Sequence, residues 1–368
     1  MNVTDVTEDG GNSTSATWST PTTMSDDVDE GNSEQPYAIK ILEQISLVYF
    51  PVVLIVGIVG NFLTIVIMAS PKFSKSTSRI YLIALALSDT TLILAQPFNL
   101  PSFIKLFGRD LKSLSDVGCK LYFIIRRSSK MTSSWFVVLL CIERFIAVWF
   151  PLKAKLICTS KVAVTSIALV YLTMISFTSS WSWASKISEN GRCFPDVYNK
   201  SNPAEVALFG RMLKAGSSIY SIIPMILLSI FSPLIIYKVS SHSKKRLHMS
   251  TNVQTSKAAW ESSKITTMLL GIVAAYIILV LPITVLHNTA YELRLNAFAN
   301  NAVGFEIFKK ISQFLEQLNY SINFFLYVLT SQKFRRCLVS LFPNFNCAKV
   351  KRDLSVYTNS TKNSSLST

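Results

Sequence analysis

Seven long apolar stretches run through this chain of 368 residues and limit what it can fold into. A bilayer has a hydrocarbon core about 30 Å thick, and an α-helix needs about 20 mostly apolar residues to cross it. Every stretch reaches that length, in a chain whose mean hydropathy is +0.38 and in which only 15% of the residues are charged. The stretches cover residues 46–69, 80–104, 117–150, 162–184, 213–239, 264–288 and 306–330. We therefore predict an all-α membrane protein, a seven-transmembrane helix bundle over residues 45–331.

Lysine and arginine residues gather on one side of this arrangement. They follow the first, third, fifth and seventh stretches: Lys72, Lys75 and Arg79; Lys153, Lys155 and Lys161; Lys238, Lys244, Lys245, Arg246 and Lys257; Lys333, Arg335, Arg336, Lys349, Lys351 and Arg352. Because basic residues mark the cytoplasmic side, we expect a multi-pass plasma-membrane protein with its N-terminus outside and its C-terminus in the cytoplasm. The net charge of +15 then reflects topology. Nucleic acid is not an expected partner, since the basic residues are spread over loops next to the membrane.

The two ends of the chain lie outside the predicted bundle. Residues 1–44 begin with an acidic, Ser- and Thr-rich run and are predicted to be a disordered extracellular N-terminus, without a cleavable signal peptide. Residues 332–343 alternate basic and apolar side chains, which predicts a short amphipathic eighth helix on the membrane surface. Residues 344–368 are predicted to be a disordered cytoplasmic tail.

Several residues are candidates for covalent modification. Asn2, Asn12 and Asn199 begin acceptor sequons on the predicted outer side, where glycosylation occurs. Cys119 and Cys193 lie at predicted outer positions in an oxidising compartment, and they are the one pair that we expect to be bridged. After the seventh stretch we favour Cys347 over Cys337 as a palmitoylation site.

Three neighbouring cations, Arg126, Arg127 and Lys130, lie inside the third stretch. Arg127 is rotated by about 100° from Arg126 around the helix axis, so we expect it to meet another helix. Arg126 precedes Arg144 by 18 residues, which is about five helical turns, so both side chains point towards the bundle interior. Lys130 lies one turn further along on nearly the same face. A charge inside a membrane needs a partner of opposite charge or water.

The partner of these cations is open at the level of sequence. Glu316 in the seventh stretch can form an ion pair with Lys130 or with Arg126, which is the purely structural interpretation. The alternative is an anionic ligand group held by Arg126, because a guanidinium binds a carboxylate through two parallel hydrogen bonds. Gln313 and His287 lie at comparable depth and are expected to line the same pocket, although His287 is equally well explained as a packing residue.

Asp89 lies near the middle of the second stretch, which is a costly place for an acid. Oxygen-bearing side chains lie at comparable membrane depth: Asn61, Ser133, Asn319 and Asn323. Such oxygens are the ligands that a small hard cation prefers. The alternative is a single buried aspartate that is hydrogen-bonded to its neighbours.

These motifs, in this order and spacing, resemble the rhodopsin-like (class A) G-protein-coupled receptors over residues 45 to 343. The matching residues are Gly60-Asn61, Leu85-Ala86-Leu87-Ser88-Asp89, Cys119, Glu143-Arg144-Phe145, Pro151, Pro224, Pro282 and Asn323-Phe324-Phe325-Leu326-Tyr327. The last of them is similar to the form found in many invertebrate-type neuropeptide receptors.

The resemblance implies roles for particular residues. Asp89 and Ser133, with Asn319 and Asn323 close by, would form an allosteric sodium site, and no other metal or cofactor is expected. Glu143, Arg144 and Tyr327 would form the switch that meets a heterotrimeric G protein. The hydroxyl-rich tail would serve a receptor kinase and arrestin, with a merely solvated tail as the alternative.

The sequence also departs from the common family pattern. The differences are Phe145, Ser262 (beside Glu261), Phe324, Val280 and Ser232, together with Tyr171 where a tryptophan is usual. Phe145 and Ser262 indicate a weaker inactive-state lock and raised basal activity. Arg126 stands where amine receptors carry an acid, and Gln317 where an opsin carries a lysine, so neither a biogenic amine nor retinal is expected.

We therefore predict a receptor that binds an extracellular neuropeptide, through an anionic group of that peptide, and activates G proteins. A receptor for a small anionic metabolite or lipid is the alternative within receptors, and a transporter is the alternative outside them, although paired repeats are not visible. The chain has three histidines and no paired-Asp, Ser-Lys or zinc-spacing motif in the stretches, so we do not expect an enzyme.

Overall fold

The computed structural model describes residues 37–74, 76–99, 108, 110–187, 193–195, 203–247, 253–292 and 302–341. The helices of these residues are α1 Tyr37–Ala69, α2 Ser78–Ala95, α3 Asp116–Trp149, α4 Pro151–Ile157, α5 Ser160–Ser179, α6 Pro203–Ser217, α7 Ile223–Leu247, α8 Val253–Glu292, α9 Ala302–Thr330 and α10 Gln332–Leu341. Short 3₁₀ turns lie at Pro71–Phe73, Gln96–Asn99, Leu111–Leu114 and Ser182–Ala184. A two-stranded antiparallel sheet joins β1 Ser185–Ile187 to β2 Cys193–Pro195, with Ile187 opposite Cys193.

The seven predicted stretches correspond to α1, α2, α3, α5, α6 with α7, α8 and α9, and they form the predicted helix bundle. Six segments within the described residues are long and apolar enough to cross a membrane, and α9 is not among them. The lower apolarity of α9 has a structural reason: Glu316, Gln317, Asn319 and Asn323 are buried within the protein, where they face other helices instead of lipid.

Several helices extend beyond the predicted boundaries. Helix α1 begins at Tyr37, within the segment 1–44 that was predicted to be disordered, and that part of the prediction was wrong. Helices α6 and α8 likewise begin before residues 213 and 264. Adding a residue to an existing helix costs far less than starting one, so helices continue past the apolar stretch into the polar surroundings.

Two stretches end earlier than predicted because local chemistry ends the helix. Helix α2 stops at Ala95, and a 3₁₀ turn follows at Gln96–Asn99. Pro97 has no backbone N–H with which to continue the helical hydrogen bonds to the Ile93 carbonyl, which accepts from the Gln96 N–H instead. Helix α5 stops at Ser179 within a polar run, and Trp181 begins the turn that leads into β1.

The fifth stretch is divided by a π-helical turn, Ser218–Ile222, between α6 and α7. Pro224 lacks the N–H that would bond to the Tyr220 carbonyl four residues before it. That carbonyl instead accepts a hydrogen bond from the Tyr276 hydroxyl of α8, at 3.2 Å. The wider turn therefore brings Tyr220 into the bundle interior, where its side chain is buried.

Helix α3 lies at the centre of the bundle and packs chiefly on α2, α7 and α5. Helix α9 packs chiefly on α8 and α1. The amphipathic helix α10 follows α9 directly and buries Phe334 against Tyr327, with ring centres 5.5 Å apart. Arg335 donates to the last carbonyls of α9, those of Val328 and Leu329, so α10 also caps the preceding helix.

Candidate ligand-binding and signalling sites

The predicted disulfide between Cys119 and Cys193 is present and joins β2 to the N-terminal end of α3, which is its predicted outer end. Asp110, which is buried, accepts a hydrogen bond from the Cys193 backbone N–H at 3.2 Å and lies 3.5 Å from the Lys112 ammonium. Burial lowers the pKa of Lys112 below its ordinary value, and the Asp110 carboxylate opposes that shift. The outer hairpin is therefore fixed to the bundle by a covalent bond and by a buried carboxylate.

A cavity of about 260 Å³ opens between the outer halves of α3, α6 and α8. Its lining residues are Arg126, Arg127, Lys130, Met131, Trp181, Leu213, Lys214, Gly216, Ser217, Tyr220, His287 and Asn288. Of the five predicted ligand-binding residues, Arg126, Lys130 and His287 line this cavity, whereas Gln313 and Glu316 are not among the described lining residues. Gln313 is half-buried on α9, and Glu316 is buried on the same helix.

Arg126 enters the cavity with little neutralisation. Its Nη2 atom donates to the Gln96 side-chain oxygen at 3.3 Å, and its Nε atom is buried without a hydrogen-bond partner among the described residues. The indole Nε1 of Trp181, another lining residue, is also buried and lacks such a partner there. Two residues that line one cavity therefore each carry a buried N–H donor without a described partner, which is costly unless something accepts from it.

Arg127 also lines the cavity, and its guanidinium contacts aromatic rings. Its guanidinium lies 4.4 Å from the Trp181 ring centre and 5.3 Å from that of Phe123. Trp181 fits there because Gly216 of α6 has no side chain: a Cβ atom at that position would overlap the indole. Neither Trp181 nor Gly216 belongs to a sequence motif that would signal this contact.

Lys130 is the cation that pairs with Glu316, so the structure distinguishes between the two pairings left open by the sequence. Lys130 Nζ lies 2.5 Å from Glu316 Oε1. The Tyr220 hydroxyl donates to the same carboxylate oxygen at 2.6 Å, and the Lys130 ammonium lies 4.2 Å from the Tyr220 ring centre. Among the described residues, Arg126 forms no ion pair.

Asp89 is fully buried and lies at the centre of a polar cluster below the cavity. Ser133 donates to one carboxylate oxygen at 2.6 Å, and the Asn323 amide donates to the other at 2.8 Å. Asn61 instead donates to the Tyr320 carbonyl at 3.2 Å, and its side-chain oxygen has no partner among the described residues. Asn319 is buried on α9 nearby in sequence. This oxygen-rich set is chemically suited to a small hard cation.

At the inner end of α3, Arg144 and Glu143 form an ion pair at 3.2 Å. Glu143 also accepts hydrogen bonds from Thr77 and Ser78 at the start of α2, and Arg144 donates to Ser78. Tyr327 is buried and packs on Phe334. Ser262, with Glu261 beside it, is one of the residues from which a weaker inactive-state lock was predicted. The side chains of both residues lie outside the described part of the structure.

The modification sites predicted at Asn2, Asn12, Asn199 and Cys347 also lie outside the described residues. Cys337 is described, and it is buried where α10 packs on the bundle. Tyr171, which stands where the family usually has a tryptophan, bonds through its hydroxyl to Ser88 at 2.7 Å and packs on Phe136.

Comparison with known proteins assigns the chain to a class. Residues 60–327 match the family described as 7 transmembrane receptor (rhodopsin family), and the chain belongs to it. It is thus a class A G-protein-coupled receptor, a multi-pass membrane protein of a non-enzymatic family. This assignment excludes the transporter that the sequence left open.

The chain is also similar to particular receptors. It is 26% identical to the human (Homo sapiens) growth hormone secretagogue receptor type 1 over 295 residues, which is 76% of either chain. It is 26% identical to the human thyrotropin-releasing hormone receptor over 329 residues, or 82% of this chain and 79% of that receptor.

Proposed function

We propose that this receptor binds an extracellular neuropeptide through an anionic group, acts at the plasma membrane and activates a heterotrimeric G protein. The observation that carries the proposal is Arg126, a cation in the cavity with a buried, unpartnered N–H. A carboxylate would offer acceptors to this group and to the indole N–H of Trp181. Amide carbonyls could accept hydrogen bonds from the two donors, but they would not neutralise the charge of Arg126.

The charge balance of the cavity supports an anion. Arg126, Arg127 and Lys130 all contribute to its lining, and no acid is among the described lining residues. Glu316 neutralises Lys130 from behind, so a net positive charge remains. In a low-dielectric site this charge attracts an anion more strongly than it would in water.

The small volume of the cavity supports a ligand of which only one part is enclosed. Its volume of about 260 Å³ lies below the range of about 300–1,000 Å³ that is typical of pockets enclosing a whole drug-sized ligand. It therefore suits one end of a peptide, while the rest would meet the outer loops. The names of the similar receptors, which refer to a releasing hormone and to a hormone secretagogue, agree with this class of ligand.

The proposal is tested with paired peptides that differ only in a free or an amidated carboxyl terminus, together with matched acidic and neutral side-chain variants. Cells expressing the receptor would be screened by calcium and cyclic-nucleotide signalling. We expect agonists only among peptides with the anionic group. In Arg126→Ala we expect the potency of such an agonist to fall by about 100-fold, the size of effect seen when one partner of a buried charge pair is removed.

Arg211→Ala is the matched control, because Arg211 is an exposed arginine on α6 outside the cavity lining. It should leave potency unchanged. Surface expression is measured for each variant with an epitope tag. Full agonist potency in Arg126→Ala at equal surface expression would refute the anionic contact, and signalling only by small anionic metabolites or lipids would favour the alternative ligand class.

Two further partners belong to the proposal. The Asp89 cluster would hold a sodium ion, with Asp89 and Ser133 as the core ligands and Asn319 and Asn323 beside them. The hydroxyl-rich C-terminal tail, which lies outside the described residues, would be the substrate of a receptor kinase and the docking site of arrestin.

A further inference from the structure

We infer that the Lys130–Glu316 ion pair, together with Tyr220, is a clamp that holds α3 and α9 in the resting arrangement, and that an anionic ligand group opens it by competing for Lys130. The participation of a ligand rests on the proposed function. The clamp itself rests on contacts within the protein, so the two parts can be tested separately.

The clamp joins two helices whose main packing partners lie elsewhere. Helix α3 packs chiefly on α2, α7 and α5, whereas α9 packs chiefly on α8 and α1. The 2.5 Å contact between Lys130 Nζ and Glu316 Oε1 bridges them through long side chains. Both side chains are largely buried, so the attraction is little screened by water and the loss of one partner is costly.

Aromatic hydroxyls around Glu316 connect the clamp to two more elements. Tyr220, from the π-helical turn, donates to Glu316 at 2.6 Å, and its hydroxyl lies 3.1 Å from that of Tyr320 on α9. Tyr276 of α8 donates to the Tyr220 backbone carbonyl at 3.2 Å. Through these hydrogen bonds, Glu316 and Tyr220 also link the fifth stretch and α8 to α9.

The same two helices are joined again directly below the clamp. Ser133 lies three residues after Lys130 on α3, and Asn323 lies seven residues after Glu316 on α9. Both donate to Asp89 of α2, at 2.6 Å and 2.8 Å. A shift of α9 that followed the loss of the Lys130 contact would therefore be transmitted to the Asp89 cluster through one rigid helix.

Competition for Lys130 is possible because Lys130 faces both groups. It lines the cavity beside Arg126 while it contacts Glu316 behind it. An anion bound at Arg126 would offer the ammonium a second acceptor, and Glu316 would lose part of its neutralisation. The ligand would then bind more tightly to the arrangement in which the clamp is open, which is the condition for shifting a two-state equilibrium.

The test measures ligand-independent signalling, so it needs no identified agonist. We expect Glu316→Gln and Lys130→Gln each to raise basal nucleotide exchange, measured against a panel of G-protein α-subunits, by about fivefold or more, the lower end of typical allosteric coupling. The double variant should exceed neither single variant, because both remove the same interaction. Glu306→Gln is the control: it breaks the partly exposed Glu306–Lys309 pair on the same helix and should have no effect.

Basal signalling at the wild-type level in both single variants, at equal surface density, would overturn the clamp. If these variants do not reach the surface, Tyr220→Phe decides, because it keeps the ion pair and the ring under Lys130 but removes the hydroxyl that donates to Glu316. A rise of about twofold would then support the clamp, and an unchanged basal signal would overturn it. Since no ligand is used, failure here leaves the Arg126 test of the proposed function unaffected.

Discussion

At the scale of the residue, the charged groups inside the bundle differ in how they are satisfied. Lys130 has Glu316, Arg144 has Glu143, and Arg127 lies on the Trp181 ring. Arg126 has a neutral amide from Gln96 and a buried donor without a partner among the described residues. Because an unsatisfied buried donor costs free energy, and because no partner for it lies among the described residues, this difference is the reason why we propose that Arg126 binds a ligand group.

Asp89 provides a prediction at the same scale. If its cluster binds sodium, the purified, ligand-free receptor should melt about 2 °C or more higher in a sodium buffer than in a matched potassium buffer. The reason is that a bound ion stabilises the folded state. In Asp89→Asn this difference between the two salts should disappear, because the carboxylate that would hold the ion is gone. Asp116→Asn, at an exposed acid on α3, is the control and should keep it. Equal responses to both salts in the unmodified receptor would rule out the sodium site.

At the scale of the element, helices α1 and α9 approach closely at a glycine. A Cβ atom on Gly60 would lie 2.9 Å from Cβ of Phe324, whereas a Cβ atom on Gly271 of α8 would meet only a Thr330 methyl at 3.9 Å. The two positions therefore form a matched pair: both are helical glycines, but only one is sterically confined.

We expect Gly60→Ala to lower the melting temperature of the purified receptor, because overpacking costs about 1–3 kcal/mol and outweighs the better helix propensity of alanine. Gly271→Ala should leave the melting temperature unchanged or raise it. A thermal unfolding curve of each variant in detergent gives the comparison. If both substitutions stabilise the receptor equally, the close contact between α1 and α9 does not exist in solution.

The elements also show where inference from sequence succeeds. The helical phase of Arg126 and Lys130 was predicted from a repeat of about 3.6 residues per turn, and both residues line the cavity inside the bundle. Arg127, which was predicted to meet another helix, lines the same cavity and contacts Trp181 in the turn after α5. The π-helical turn at Ser218–Ile222 was not predicted. Pro224 is its sequence signal, but a proline also permits a simple kink. The Tyr276 hydroxyl that bonds to the carbonyl left free by Pro224 lies on another helix, and its position depends on how the helices pack.

At the scale of the whole molecule, the orientation in the membrane stays a prediction from the distribution of basic residues. An epitope tag before residue 1 should be accessible to antibody on intact cells, and a tag after residue 368 only after permeabilisation. Removal of N-glycans should shift the electrophoretic mobility of the unmodified protein, and replacing Asn2, Asn12 and Asn199 together by glutamine should abolish the shift. Accessibility of the C-terminal tag on intact cells would show that the orientation is reversed.

The architecture of this protein follows from its amino-acid sequence alone. A helix that crosses a bilayer must be long and apolar, so the seven stretches could be counted without any knowledge of how they pack. The repeat of the helix also fixed which side of α3 carries the cations, and the oxidising outer side fixed the Cys119–Cys193 pair, which the structure contains. These properties depend on length, local spacing and compartment, and each can be read along one segment.

The partner of each charged group, in contrast, depends on how the helices pack against one another. Whether Glu316 pairs with Lys130 or with Arg126 depends on a difference of a few ångströms in the placement of two helices that are far apart in the chain. In the structure, Glu316 Oε1 lies 2.5 Å from Lys130 Nζ. The same holds for Trp181, which reaches the cavity because Gly216 leaves room on another helix. Electrostatic and packing energies change steeply over such distances. The proposals that Arg126 binds a ligand group and that Lys130 belongs to a clamp therefore depend on the packed bundle.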